Sequence, residues 1–446
     1  MGQGGAADRE ACAGKPGILP SDLLRGGACT APYNARQPTA SPTVPLPPVH
    51  ISAYTAVTAL GDGLAALREA VDQGRSGLRP LGPHDFGVAP MAEPLATHVG
   101  RVDGLDQPLP PRWAHWDCRN NRLAWRGLQA DRFAARVAAA VQRHGASRVA
   151  LVLGSSTASI GATEDAYRLL DATGVFPPQP DNTALHTLHS LTGFAQEALG
   201  LQGPALTVST ACSSSAKAFA AAERLMRLDL ADAAVVGGVD SLCGSVLFGF
   251  HALQLVSPGP CRPFDQARDG ISLGEAAAFA LLERGDGALR LLGYGESSDA
   301  HHLSAPDPDG AGAGAALDQA LARAGLQAGD IGYLHLHGTA TPKNDEVEAR
   351  LLDSRFAPGV PASSTKGMTG HTLGAAGALG AVFGLLALEH GVLPGTVNTR
   401  QPEPGIATRL LLAPRAQWVD RVACHAFAFG GNNAVLLFGR GAGAAP

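Results

Sequence analysis

Lysine is scarce in this chain. Only Lys15, Lys217, Lys343 and Lys366 occur in 446 residues, and the rest of the positive charge is arginine, a bias of composition rather than of function. Lys plus Arg reaches 34 against 39 Asp plus Glu, a net charge of −5. With no global basic field, nucleic acid is not an expected partner. Cysteine is sparse and odd in number: Cys12, Cys29, Cys118, Cys212, Cys243, Cys261 and Cys424, with no CxxC pair. That pattern argues against a disulfide framework and against a zinc site, so no metal is expected, and it fits reduced thiols in a reducing compartment. The opening MGQGGAADRE lacks an apolar stretch behind basic residues, so no signal peptide is visible. The longest apolar run, 373–388, is rich in Gly and Ala and falls short of the ~20 residues of a membrane span. It predicts a buried helix, no membrane partner and a cytoplasmic protein.

What is present describes a globular protein: 45% apolar and 16% charged residues, in a length that allows two domains or two halves of one larger fold. Residues 1–48 hold eight of the 32 prolines, end in SPTVPLPP and show no helix or strand period, so they read as a disordered extension. Ordered structure is expected from Val49. Beyond it, short apolar runs (148–154, 205–210, 233–239, 276–283, 333–338 and 433–439) alternate with Ala-rich helical stretches (122–144, 213–228, 314–324, 345–356 and 374–389). Alternation of this kind predicts an α/β fold, and runs such as VALVLG, apolar on both faces, predict sheets covered on both sides. The expected division is an N-terminal half over 49–287, a C-terminal half over 288–440 and a flexible tail over 441–446. Each half delivers a reactive-looking residue to a helix start, which suggests a duplicated core with the site between the halves.

Four segments carry chemistry. Cys212 stands between the strand LTVST and the helix SSSAKAFAAAERLM, flanked by small residues. A thiol at a helix N-terminus sees the positive dipole end, which favours thiolate and a nucleophilic role; a packed, inert cysteine is the alternative. His337 ends the run YLHLH, followed by Gly338, the hydroxyls of Thr339 and Thr341, and then Asp345 and Glu348 in the first turns of a helix. Strand ends are where α/β proteins place site residues, although His335 on the same run shows that core histidines occur, which is the commoner reading for such a residue alone. Lys366 and His371 flank a Gly-rich turn in STKGMTGHTLGAAGA. In HAFAFGGNN, the turn after Phe429 frees backbone N–H groups that could form an oxyanion hole, or it is simply a hairpin.

Together, STACSSS, HGTATPKNDEVE, KGMTGHTLGAAGA and AFAFGGNN resemble, in order and across about residues 49–440, the β-ketoacyl-acyl-carrier-protein synthases, elongating condensing enzymes of the thiolase-fold superfamily. CRPFDQARDGISLGEAA and VTALGDGLAALREAVDQGRSGL match further family segments. The resemblance implies two βαβαβ-type halves forming a five-layered αβαβα core. It implies that Cys212 becomes acylated and that the N–H groups of Cys212 and Phe429 hold the oxyanion. His337 and His371 would assist decarboxylation, with Lys366 holding His371 through a network that includes Glu348. Thr339, Thr341 and Asp345 would support the site, and Phe427 and Phe429 would gate the acyl pocket. No cofactor is implied, because the thioester substrates bring phosphopantetheine from the carrier protein. The implied partners are acyl carrier protein and a second ketosynthase-like subunit, in a homodimer or heterodimer. Histidine at 371, where acyl-CoA-dependent priming synthases carry asparagine, points to the elongating group. Arg119 and Arg122 resemble a carrier-docking pair; a solvated helix face reads equally well.

The chain also departs from the family. Ala428 replaces a glycine thought to let the gating phenylalanine swing, and Asn432 stands where threonine is usual. Three other readings remain open: a non-catalytic chain-length partner subunit, which usually lacks the cysteine; a serine acyl-enzyme built on Ser363-Ser364-Thr365-Lys366, for which no KTG or SDN segment appears; and, from the departures at Ala428 and Asn432, a specialised synthase for polyenes or other polyketide-like pigments rather than a housekeeping one.

Overall fold

The computed structural model describes residues 48–83, 85, 95–170, 174–175, 183–407 and 409–441. The expected extension over 1–48 and tail over 441–446 lie outside these residues, but for Pro48 and Gly441.

The apolar runs become strands. In the first half they are β1 (Val49–Thr58), β2 (Val149–Gly154), β3 (Ala205–Val208), β4 (Ala233–Asp240) and β5 (Ala276–Arg284). In the second they are β6 (Leu289–Ser298), β7 (Tyr333–His335), β8 (Ala362–Ser363), β9 (Arg421–Ala428) and β10 (Asn432–Arg440). The order across the sheet is β8-β7-β9-β10-β6-β1-β5-β4-β2-β3. Each half therefore repeats one pattern. Its second strand lies parallel to its third and fourth. Its fifth strand is antiparallel to the fourth and to the first. The duplication suggested by two similar-looking motifs is thus present strand by strand. The halves join through β1 and β6, where Val49 pairs with Leu291 and His50 with Arg290.

Every residue of β2 and β4 is buried, as their unbroken apolar sequence requires. Helices α1 (Arg119–Gln129), α2 (Phe133–His144) and α3 (Ser190–Leu199) cover the outer face of the first half-sheet. On the second half-sheet that place is taken by α4 (Ala311–Ala324), backed by α5 (Pro342–Arg355). Two helices, α6 (Ala376–His390) and α7 (Ser214–Arg227), lie against each other between the half-sheets, which completes five αβαβα layers. The apolar segment Leu373–His390 is the one stretch among the described residues long and apolar enough to cross a membrane, and 83% of it is buried within the fold. The expectation of a core helix holds there on burial, although the segment runs on to His390 and is longer than the run read from sequence.

One predicted helix, 122–144, is two. Between α1 and α2 the chain turns at Asp131 and Arg132, both left-handed at φ 50° and 57°. The Asp131 carboxylate accepts hydrogen bonds from the Thr55 hydroxyl at 2.7 Å and the Leu64 N–H at 2.9 Å. These tertiary bonds override a helical pattern that is continuous in sequence.

The central helices meet through their smallest residues. A methyl group at Gly377 would stand 2.6 Å from the Ala216 nitrogen; at the end of β2, one at Gly154 would stand 2.3 Å from that of Ser215 on α7. Gly377→Val should therefore cost on the order of 1–3 kcal/mol in denaturant unfolding. Gly249→Ala, on a helix with open space at that position, should stay within about 1 kcal/mol of the parent or raise stability.

Candidate active site

The nucleophile turn is built from backbone that few residues tolerate. β3 ends at Val208, Ala211 takes a left-handed φ of 52°, and α7 begins at Ser214. The Ser214 hydroxyl accepts from the Thr210 N–H at 2.9 Å and donates to the Ala211 carbonyl at 2.5 Å, so the serine two residues after Cys212 staples its own turn. Cys212 is 5% exposed. The other two site segments bend in the same way, with Ala340 at φ 68° and Leu373 at φ 53°. Strained backbone held at several points is a mark of functional sites.

His337 follows β7 on a loop fastened by two buried carboxylates. Glu348 accepts from the His337 N–H at 2.8 Å and the Gly338 N–H at 2.7 Å. Asp345 accepts from Thr339 at 2.9 Å and Phe264 at 2.7 Å, and burial pushes its carboxyl up to about 6. The hydroxyls of Thr339 and Thr341 bond each other at 2.8 Å. His371 is fixed at both ends of its backbone: its N–H donates to Ser272 at 2.7 Å, and its carbonyl accepts from Gly274 at 3.0 Å.

These loops bring the predicted groups together. His371 Nε2 lies 3.0 Å from Cys212 Sγ. The His337 and His371 rings stand edge to face with centroids 5.5 Å apart. The backbone N–H groups of Phe429 and Cys212 lie near enough to the sulfur to lower its pKa slightly. Cys212, His337, His371, Thr339, Thr341, Phe427 and Phe429 all line one cavity of about 380 Å³, a size fitting for a small-molecule site.

Lys366 is placed differently from the expectation. Its ammonium lies 3.4 Å from His337 Nδ1 and also donates to the His337 carbonyl, so it holds His337 and not His371. Glu348 likewise serves the His337 loop, with its remaining bond to His425 Nδ1 at 3.0 Å. His371 takes its tautomer from the backbone: the Leu373 N–H donates to Nδ1 at 3.3 Å. With Nδ1 accepting a proton donor on each ring, both imidazoles carry their own hydrogen on Nε2. Burial, and then the Lys366 charge, hold both histidines well below the ordinary imidazole range, so they are neutral near pH 7.

The thiol also departs from the sequence argument. A helix start was expected to favour thiolate, but burial pushes Cys212 up to about 11, with Lys366 pulling the other way. Desolvation of a fully enclosed sulfur outweighs the dipole. Ala428 is extended at φ −136°, which alanine adopts freely, and the turn's left-handed positions fall on Gly430 and Gly431. The substitution therefore costs nothing in this conformation. Phe429 packs on Phe250 at 5.5 Å, and Phe427 lies 6.0 Å from His337.

Arg119 and Arg122 do not form a free docking pair. Arg119 donates to buried Glu275 at 3.0 Å, and Arg122 grips Asp117 at 2.8 Å, so both charges are matched internally. Ser363 is fully buried against the Tyr333 hydroxyl at 2.6 Å and lies off the cavity, which removes the serine acyl-enzyme reading. No group of three or more His, Cys, Asp or Glu among the described residues could hold a metal. Sequence reasoning missed His425, Phe250, Asp299 and Lys217; of these only Lys217 carried a signal, being one of the chain's four lysines and lying on the nucleophile's own helix.

Comparison with known proteins agrees with this geometry. The N-terminal domain of β-ketoacyl synthases matches residues 121–288 and the C-terminal domain matches residues 289–400. The chain is 32% identical over 321 residues to 3-oxoacyl-[acyl-carrier-protein] synthase 2 of Vibrio cholerae, covering 67% of this chain and 78% of that protein. Among solved structures it is similar to the ketosynthase ApeO of Xenorhabdus doucetiae, determined in complex with its chain length factor ApeC: 36% identity, TM-score 0.78, 88% of this chain and 98% of that one. A β-ketoacyl synthase from Burkholderia phymatum superimposes with TM-score 0.76 at 27% identity, over 89% of this chain and all of that one. The chain belongs to the β-ketoacyl synthase family.

Alkylation of Cys212 reports the state of the thiol. Its rate with iodoacetamide should climb throughout pH 7 to about 10, following the thiolate fraction. Because Lys366 lowers the thiol's pKa, Lys366→Ala should shift that climb further alkaline. A plateau below about pH 8.5 in the parent protein would show that burial does not dominate.

Proposed function

We propose that this chain is an acyltransferase, a β-ketoacyl-acyl-carrier-protein synthase that elongates fatty-acid or polyketide-type chains. The observation that carries the reading is the 3.0 Å approach of His371 Nε2 to Cys212 Sγ, with His337 edge-on beside it. A Cys-His-His set on one cavity has the parts for decarboxylative Claisen condensation.

Cys212 attacks the acyl thioester of the carrier's phosphopantetheine arm. The sulfur–acyl bond forms, the arm leaves as a thiol, and the thiol proton lost by Cys212 balances it. The oxyanion that develops lies against the Cys212 and Phe429 N–H groups. Malonyl-carrier protein then loses carbon dioxide, and its electron pair passes into an enolate. Two Nε2–H donors, from His337 and His371, stabilise the enolate oxygen. A neutral donor suits this step, because imidazolium would hand its proton to the enolate and quench the nucleophile. The enolate carbon attacks the acyl-Cys212 carbonyl, the carbon–sulfur bond breaks, the β-ketoacyl chain leaves on its carrier, and Cys212 departs as thiolate that takes one proton from water to become thiol again. None of these steps calls for a cofactor beyond the substrate's own arm. A cytoplasmic setting suits such an enzyme.

Acyl carrier protein is the proposed partner. With Arg119 and Arg122 engaged internally, Lys343 is the one Lys or Arg among the cavity-lining residues, and it is exposed. Attraction of the acidic carrier would fall to it at the mouth. The ApeO likeness supports a heterodimer with a chain length factor, this chain being the subunit that keeps its cysteine.

Cys212→Ala should abolish acylation and condensation. His371→Ala and His337→Ala should each slow malonyl-carrier decarboxylation about 10²-fold or more. Between about pH 6 and 8 the decarboxylation rate should show no imidazole inflection, since both rings are already neutral. A Cys212 that never acylates, with any carrier-bound chain, would favour the non-catalytic partner subunit instead.

A further inference from the structure

To serve the thioester oxyanion, the turn Phe429–Gly431 must hold the Phe429 N–H steadily beside Cys212, yet two of its three residues are glycine. Contacts on one side come from the loop after β6. The Gly430 N–H donates to the Leu303 carbonyl at 2.7 Å, and the Asp299 N–H donates to the Gly431 carbonyl at 2.9 Å. Asn433 Nδ2 reaches Asp299 at 2.6 Å and the Gly431 carbonyl at 3.2 Å. On the other side a single side-chain bond crosses from the nucleophile's helix: Lys217 Nζ donates to Asn432 Oδ1 at 3.0 Å.

Lys217 lies on α7, five residues after Cys212, and is half-buried. Asn432 comes directly after the turn. An ammonium can only donate, so it fixes which way the Asn432 amide faces. Oδ1 is drawn to Lys217, and Nδ2 is left over the turn, where a methyl group at Gly430 would stand 3.4 Å from it. Glu296 is the carboxylate that acts on Lys217, and it is already engaged by Arg224 at 2.5 Å. The ammonium is thus not simply absorbed by a surface ion pair. Burial lowers the Lys217 pKa, the ordinary sign of a lysine partly withdrawn from water.

We propose that Lys217 and Asn432 are positioning residues for the oxyanion site: their bond ties the Phe429 turn to the helix headed by Cys212, so that the two N–H donors keep one fixed separation. This rests on the function proposed above and adds a device to it. The pair touches neither substrate nor sulfur. It acts through Phe429, and only in steps where negative charge develops on a thioester oxygen.

Two reactions of the same sulfur separate that role from a merely structural one. Acylation by an acyl thioester develops an oxyanion; alkylation by iodoacetamide does not. Lys217→Met should slow Cys212 acylation by about tenfold or more, a fraction of what loss of a whole oxyanion donor costs. Alkylation should change by less than about threefold, since the N–H of Phe429 is a minor influence on the thiol. Lys217→Gln, which keeps a neutral donor, should recover part of the acylation rate. Asn432→Leu should match Lys217→Met, and the double variant should be no slower than either, because both remove one bond. Acylation at the parent rate in Lys217→Met overturns the proposal, as does a parallel fall in alkylation or multiplicative effects in the double variant. An unmutated protein that alkylates but never acylates would instead overturn the function itself, which keeps the two failures apart.

Discussion

Gly377 lies so close to Ala216 that one added methyl group would collide with backbone. That contact sets the rest of the site. α6 and α7 each begin beside a reactive residue, His371 for one and Cys212 for the other. Bringing the helices together without intervening side chains brings their starts together, and the 3.0 Å sulfur–nitrogen approach follows. The duplicated sheet supplies the symmetry that makes this meeting natural, since each half places its central helix after its third strand. Interiors pack at crystal-like density, so the separation is fixed and not merely favoured.

The second constraint is electrostatic. One buried ammonium, Lys366, and one buried carboxylate, Glu348, share the His337 loop. An isolated charge at that depth would be costly, and the pair, bonded to backbone on both sides, makes it tolerable. Burial keeps both imidazoles neutral and the positive charge adds to it; the same charge eases the thiol's ionisation, although burial still governs the sulfur. A single fixed charge so tunes three groups, each in the direction the chemistry needs.

Much of this was legible in the sequence. VALVLG and AAVVGGV read as strands buried on two faces because nothing polar interrupts them, and Cys212, His337 and His371 stood out because each follows a strand or a Gly-rich turn. What was not legible depends on partners remote in sequence. Lys366 was assigned to His371, five residues away, yet it holds His337, 29 residues away, because the loops cross in space. The break at Asp131 depends on Thr55, and the masking of Arg119 depends on Glu275. The sign of the thiol shift was missed for a related reason: a dipole can be read from a helix start, whereas full enclosure of the sulfur cannot. His425, whose side-chain hydrogen bond goes to a distant glutamate, gave no local signal at all.

A sulfur that rests mainly as thiol has a consequence for survival in air. Peroxide attacks thiolates, and the step to sulfenic acid is slow where little thiolate exists. At 5% exposure, with ionisation disfavoured by its surroundings, Cys212 is shielded from that damage between turnovers. The enclosure that makes the residue a reluctant nucleophile at rest also makes it durable, and electrophiles that do not fit the pocket find little to react with.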